Sequence, residues 1–430
     1  MDTGGWVRAA ARRRFSLARR SSCLLALAAL AALAAGCGGS GGSSSHAGSS
    51  AHGASAARGF DPRSVSFVSL RTAWALGTAP CASSGACLEL LESSDTGRSW
   101  SSRPLPATLI AAADRKVDGV ASALDEGAGL SVRFADAKNG WIYGGLAVTT
   151  RQPGGSYVAI EPTLWSTHDG GLVWRAQPLR GLGSEDAIFD LEAAGGTAYL
   201  MATNSANGVS VESSPVDADS WQSASSAPLG DPAGGGLQSG AFVLQGGSGW
   251  LVEGNDRGTT GSARLVRGGR WVNWTPPCAS VGHSFAIPAA ATAQNLVAVC
   301  VMGGFASSLS KSAPPGAKLG SSWLYFSNDG GSSFATGPEL GGLGYSFSGV
   351  IASPTPAAIL IGHQTQSGQA DLLASFDRGV HWSVVYRGQA LYLGFTSPSQ
   401  GVAILGSAND ASTTMIMTFD GGHHWAPVAF

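Results

Sequence analysis

Five copies of one short pattern, Ser/Thr-x-Asp-x-Gly-x-x-aromatic, punctuate this 430-residue chain and limit what it can fold into. They run Ser93 to Trp100, Thr167 to Trp174, Ser327 to Phe334, Ser375 to Trp382 and Thr418 to Trp425. With 62 Gly and 8% aromatics in the chain, chance supplies only about 0.2 Asp/Gly/aromatic matches at this spacing, so the five are a repeat.

Each position of the pattern has a mechanical reason. A short Asp side chain accepts hydrogen bonds from backbone N–H groups just ahead of it, Gly supplies a residue with φ > 0, and Ser/Thr adds a second local bond. The result is a tight corner between two strands. The aromatic residue five places after Asp begins the return strand and packs a large apolar ring over the hairpin. Asp95, Asp169, Asp329, Asp377 and Asp420, with Trp100, Trp174, Phe334, Trp382 and Trp425, are therefore read as structural corners.

The flanking residues repeat as well. An apolar strand, a short turn and a second strand rich in Gly and aromatics precede each corner, as in Val132-Arg133-Phe134 followed by Gly140-Trp141-Ile142-Tyr143-Gly144. With the strand before the corner and the strand carrying its aromatic, a unit has four strands. Two further units keep the strands and have a decayed corner, one ending at Trp221 and one at Trp271. The count is seven units, with approximate limits 64–126, 127–183, 184–232, 233–280, 281–341, 342–387 and 388–430. At roughly 52 residues each they have the size of a four-stranded propeller blade. No stretch after residue 60 sustains a 3.6-residue apolar period, so helix is predicted to be scarce.

These corners and units resemble the bacterial neuraminidase repeat, or Asp-box, superfamily of β-propellers. The phrasing Gly-Trp-x-x-Gly followed by Asp-Gly-Gly-x-x-Trp is most similar to the photosystem II stability/assembly factor-like and sortilin-like branches. The resemblance implies an all-β, seven-bladed β-propeller of four-stranded antiparallel blades over residues 60–430, with the Asp corners on the face away from any active site. It is specific for fold and weak for activity, because one fold hosts many functions. A sialidase of this superfamily would carry Arg-Ile-Pro, which occurs nowhere in the chain.

The N-terminus predicts where the protein works. Six arginines between Arg8 and Arg20 precede an apolar stretch from Cys23 to Ala35, too short to span a bilayer and built like a signal peptide over residues 1–36. Leu33-Ala34-Ala35-Gly36-Cys37 resembles the lipobox of bacterial lipoproteins, which implies lipidation of Cys37 and anchoring to the outer face of the bacterial cell membrane. Arg12-Arg13-Arg14-Phe15-Ser16-Leu17 also partly fits a twin-arginine export signal. Gly38 to Arg58 is almost wholly Gly, Ser, Ala and His. It cannot bury enough apolar surface to order itself, so residues 37–59 read as a lipidated cysteine and a tether.

Cysteine use fits export. Four cysteines remain for the propeller, with Cys81 and Cys87 placed to staple one loop of the first blade and Cys278 and Cys300 placed to tie the fourth blade to the fifth. Their spacings do not suggest a zinc site, and nothing calls for a cofactor. Without residues 1–36 the chain has 20 basic and 27 acidic residues, net −7. Nucleic acid is then an unsuitable partner, since phosphate binding needs a basic footprint.

Candidate binding residues lie in long connections on the face opposite the corners. One is the connection at 105–131 with Asp114, Arg115, Lys116, Asp118, Asp125 and Glu126. The others are 146–163, with Arg151, Tyr157 and Glu161, and 303–322, with Lys311 and Lys318. They would build one rim of a concave surface for an extracytoplasmic protein or glycan. The carboxylates of the first connection are also the best local supply for the competing class, a secreted glycoside hydrolase, which needs two carboxylates about 5–10 Å apart.

Overall fold

The second strand of several repeats is apolar on both sides, which only a sheet covered on both faces can bury. In Ala73–Ala79, Leu296–Val301, Ile359–Gln364 and Gly401–Gly406 the first five residues are all buried. The computed structural model meets this demand by stacking seven sheets about an axis. It describes residues 59–430 except 82–86, 115–128, 153–154, 180–181, 183–185, 205–207, 225–238, 256–257, 267–268, 280, 282–283, 303–310, 312, 319–320, 341–346, 365–368 and 407–411.

The chain is a seven-bladed β-propeller, each blade a four-stranded antiparallel sheet in sequence order. Blade 1 holds β1 (Asp61–Phe67), β2 (Ala73–Ala79), β3 (Cys87–Ser93) and β4 (Ser101–Arg103); blade 2 holds β5 (Leu130–Phe134), β6 (Gly140–Gln152), β7 (Gly155–Thr167) and β8 (Arg175–Ala176). Blade 3 holds β9 (Ala187–Ala194), β10 (Thr197–Asn204), β11 (Gly208–Pro215) and β12 (Gln222–Ser223); blade 4 holds β13 (Ser239–Gln245), β14 (Ser248–Asn255), β15 (Gly258–Val266) and β16 (Arg270–Asn273). Blade 5 holds β17 (Phe285–Ala290), β18 (Leu296–Val301), β19 (Ser322–Ser327) and β20 (Ala335–Glu339). Blade 6 holds β21 (Phe347–Ala352), β22 (Ile359–Gln364), β23 (Ala370–Ser375) and β24 (Ser383–Arg387), and blade 7 holds β25 (Gln389–Phe395), β26 (Gly401–Gly406), β27 (Thr413–Thr418) and β28 (Ala426–Pro427). Among the described residues the single helix is α1 (Ala107–Ala113), between blades 1 and 2.

First strands of neighbouring blades meet, β1 with β5 and so on round to β21 with β25, so they line the axis. The last junction, between blades 7 and 1, is closed without a shared sheet: β1 meets β26 and β27 instead. Asp61 accepts from the backbone N–H and the hydroxyl of Thr413, and Gln400 Nε2 donates to Leu70 O at 3.0 Å. Phe430 packs on Phe60 and Trp100, with ring centroids 4.7 and 5.2 Å away. Apolar clusters that span adjacent blades supply the rest of the cohesion. Trp74 of blade 1, for example, stacks on Phe134 of blade 2 at 3.7 Å.

All five Asp corners share the same Ser/Thr and Asp hydrogen bonds, and the four that end in tryptophan add one from the indole. Gly97 N donates to Ser93 Oγ at 2.9 Å, Ser99 N donates to Asp95 Oδ1 at 2.9 Å, and Trp100 Nε1 donates back to Gly97 O at 3.1 Å. The Gly at this position has φ between 77° in Gly97 and 99° in Gly422. The residue before it, also at positive φ, donates its N–H to the turn between the first and second strands of its own blade, as from Thr96 to Arg71 O and from Arg378 to Ala357 O. Corners and first turns therefore share one face. The starts of first strands and the connections between second and third strands share the opposite one.

The two decayed corners leave a chemical trace. Trp74 Nε1 donates to Gly170 O in the corner of blade 2, and Trp250 Nε1 donates to Gly330 O in that of blade 5. Trp141 occupies the matching place facing blade 3, where Val216 and Ala218 stand in the Asp and Gly positions, and its Nε1 is buried without a hydrogen-bond partner. Trp221 Nε1 and Trp271 Nε1, the indoles of the decayed corners themselves, are buried and unpartnered too.

One expectation is corrected. Residues 146–163, read from the sequence as a long loop, are mostly strand: β6 and β7 pair without a register shift from Gly140 opposite Thr167 to Gln152 opposite Gly155. Pro162 and the Pro153-Gly154-Gly155 run look like loop punctuation, but Pro is tolerated where no ladder bond is needed.

Candidate binding rim and axial cluster

On the face opposite the corners, blades 1 and 2 carry several additions to the common plan. The disulfide Cys81–Cys87 closes the connection between β2 and β3. Helix α1 starts at Ala107 after Pro106, whose fixed φ suits a helix entry, and buries Leu109 and Ala113. Those two side chains pack in one apolar cluster with Leu88, Leu130 and Leu146, so the helix braces the base of the β6–β7 hairpin. Beyond Leu130, which lies opposite Gly144, β6 leaves β5 behind and the hairpin continues for eight more residue pairs. At about 3.3 Å per residue that is roughly 26 Å of two-stranded ribbon. Among the described residues none of the other second strands is longer than eight residues.

The sequence-derived candidates fall on this face unevenly. Asp114 caps the end of α1 through its backbone N–H to Ile110 O, whereas Arg115, Lys116, Asp118, Asp125 and Glu126 lie outside the described residues. Arg151 pairs with Ser156 and Thr150 with Tyr157 near the hairpin tip, and Glu161 is exposed on β7. Lys311 and Lys318 are exposed in the second-to-third-strand connection of blade 5, three blades away. The fold brings Asp114 and the hairpin residues to one sector and leaves the two lysines in another. Cys37 lies outside the described residues.

A second polar constellation sits on the axis. Arg133 of β5 forms an ion pair with Glu192, donates from Nε to Leu191 O at 3.3 Å, and also hydrogen-bonds Tyr392. Tyr392 belongs to blade 7, on the far side of blade 1, so Arg133 reaches it across the axis. Asp190, two residues before Glu192, accepts from Tyr143 OH at 3.0 Å and from Leu191 N at 2.8 Å. Burial alone would lower the Arg133 pKa, but Tyr392, Tyr143 and Asp190 outweigh it and hold the guanidinium above its ordinary value. Burial lifts the Asp190 carboxyl despite Arg133 beside it, and burial followed by Asp190 raises the Tyr143 hydroxyl well above the usual range. The cluster is a polar strut between blades 2, 3 and 7, with one guanidinium set among two carboxyl groups and two tyrosines.

Sequence reasoning missed this cluster. Its only local signal is alternation on first strands, Ser131 and Arg133 between the buried Leu130, Val132 and Phe134.

No family model and no curated protein matches the sequence. Solved structures do. YCF48 bound to D1 peptide is 18% identical at a TM-score of 0.48, with 84% of this chain and 93% of that one covered. A mutant puromycin hydrolase complexed with PGG is 14% identical at a TM-score of 0.51; this chain is 87% covered and spans 54% of the hydrolase. A polysaccharide lyase, an ulvanlyase bound to a GlcA-Rha3S ligand, is 12% identical at a TM-score of 0.50, with 86% and 96% covered. At such identities likeness carries the fold and leaves function to the site.

The structure holds the second disulfide, Cys278–Cys300, between the segment after β16 and strand β18. Two disulfides suggest an oxidising, extracytoplasmic compartment. Among the described residues no helix is long and apolar enough to cross a membrane.

Proposed function

We propose that this chain is an exported lipoprotein of the Asp-box propeller superfamily, anchored through Cys37 and a tether at residues 37–59. Its ring serves as a binding, scaffold or assembly module for a protein or glycan. In this reading residues 1–36 are the signal peptide, and the five corner aspartates hold turns and take no part in recognition. The ligand is met on the opposite rim by Asp114, Arg115, Lys116, Asp118, Asp125 and Glu126, by Arg151, Tyr157 and Glu161, and by Lys311 and Lys318. The observation that supports the reading is the β6–β7 ribbon, which continues past the end of β5 on that face and has no counterpart among the described residues of the other blades.

Fractionation tests the anchor: the full chain partitions with membranes and Cys37→Ser releases it. Co-purification from detergent-solubilised membranes tests the binder. A stoichiometric partner whose affinity is unchanged by alanine at Asp114, Glu161, Lys311 and Lys318 refutes the rim.

A glycoside hydrolase remains the second reading, favoured by one observation. Asp190 and Glu192 put two carboxylates on the axis, and the raised Asp190 pKa is what a general acid needs. Both, however, are engaged by Arg133, Tyr143 or backbone. Product from chromogenic glycosides or polysaccharides that disappears in Asp190→Asn and Glu192→Gln establishes this reading.

A further inference from the structure

The β6–β7 ribbon has one edge of backbone that no fourth strand of its blade pairs. Gly145 N points away from β7, donating to Gly129 O at 3.2 Å, and its partner Pro162 has no N–H. The Gly145/Pro162 pair is therefore one of the non-hydrogen-bonded pairs of the antiparallel ladder. Counting by two, Ala147/Ile160, Thr149/Val158 and Arg151/Ser156 are of the same kind, so Ser156, Val158 and Ile160 aim their N–H groups outward from the ribbon. On that side the fourth strand stops early: β8 pairs only with Trp165 and Ser166. Edges like this are normally blunted by a bulge, a proline or a charge. The register of β7 is unbroken, Pro162 lies below the stretch, and Ser156, Val158 and Ile160 carry no charge.

β1 begins on the same face as the one toward which the ribbon runs, which brings the described N-terminal end of the ring to that side. A 21-residue Gly/Ser/Ala coil from Gly38 to Arg58 has a root-mean-square reach of roughly 25 Å, close to the roughly 26 Å length of the ribbon past the end of β5. In the lipid-anchor reading the tether therefore lets the hairpin tip reach the membrane surface.

We propose that the outer edge of β7, from Ser156 to Ile160, takes up an extended extracytoplasmic segment of an integral membrane protein as an added strand, continuing the line that β8 leaves unfinished. Main-chain hydrogen bonds supply affinity in this mode and alternate side chains supply specificity. The inference rests on the lipid-anchor reading above.

The test uses the full-length chain in cells, with the photo-crosslinking residue benzoylphenylalanine in place of Tyr157. Irradiation is expected to join the chain to an integral membrane protein. Val158→Pro removes one outward N–H and leaves the β6–β7 ladder intact, so it should cut adduct yield about tenfold, while Val158→Ala preserves it. The purified proline variant should melt with the parent. If it melts lower, Ser156→Pro repeats the test one outward N–H nearer the tip. Adducts between two copies of this chain, an adduct insensitive to both prolines, or no adduct at all overturns the docking edge. Fractionation of the same cells separates the two ideas: a chain in the soluble fraction defeats the anchor, and a membrane-bound chain without a proline-sensitive adduct defeats the edge alone.

Discussion

Trp274 Nε1 of blade 4 donates to Gly331 O of blade 5 at 2.7 Å, across a blade boundary. In the other four corners that carbonyl is reached from within by the corner's own tryptophan, as from Trp382 to Gly379 O and from Trp425 to Gly422 O. Blade 5 has Phe334 there, which cannot donate, and a neighbour fills the role. Trp274→Phe should therefore destabilise the ring by about 1–2 kcal/mol, because a carbonyl loses its donor. Adding Phe334→Trp should recover part of that loss. Chemical denaturation of the single and double variants checks both, and equal losses in the two would refute the exchange.

Trp74 and Trp141 look alike in sequence and differ in chemistry. Trp74→Phe breaks a hydrogen bond to Gly170 O and should cost about 1 kcal/mol beyond the packing change, whereas Trp141→Phe removes a buried N–H that has no partner. The second substitution should cost no more than its packing change, and so less than the first. Urea midpoints of the pair decide it.

Thr96 and Arg378 hold left-handed backbone, with φ of 73° and 62°, at a corner position where the other three corners have Gly. A β-branched residue is poorly suited to that region. Thr96→Gly should stabilise by about 0.5–1 kcal/mol net of the entropy Gly loses on folding. Arg378→Gly should gain less, because the Arg378 guanidinium lies 4.4 Å over the Phe326 ring and that contact is lost. Equal gains for both variants, read as urea midpoints, would remove the cation–π term from the account.

The corners also set an acid limit. Hydrogen bonds from Ser99 hold Asp95 at about 2, the Ser333 side chain and N–H do the same for Asp329, and the His381 N–H and ring for Asp377. Each pKa lies below the unfolded value near 3.8, so the stabilisation is fully present above pH 4 and is lost as pH falls toward 2. Urea midpoints should be insensitive to these groups from pH 5 to 8 and drop between pH 4 and 2. Asp95→Asn should flatten that drop, and an unchanged slope would show that the corner carboxylates do not cause it.

What could be read from the chain was local. The corners, blade limits and scarcity of helix follow from turn chemistry within eight residues, and the observed strands fall inside the predicted limits apart from β1, which begins at Asp61, ahead of the predicted start at 64. Arg133 was invisible as a site because Leu191 and Glu192 lie some sixty residues away in sequence and Tyr392 farther still. The ribbon was misread because Pro162 signals a break unless the ladder parity is known. Trp274 gives no sign of its partner, since Phe334 satisfies the pattern by shape while lacking the donor.

The closure between Asp61 and Thr413 has an architectural consequence. With the rings of Phe60 and Phe430 touching and every sheet built from four consecutive strands, the molecule is a wheel of interchangeable spokes with no woven clasp. A circular permutant that fuses the present ends through a short linker and opens between any two other blades should rebuild the same wheel.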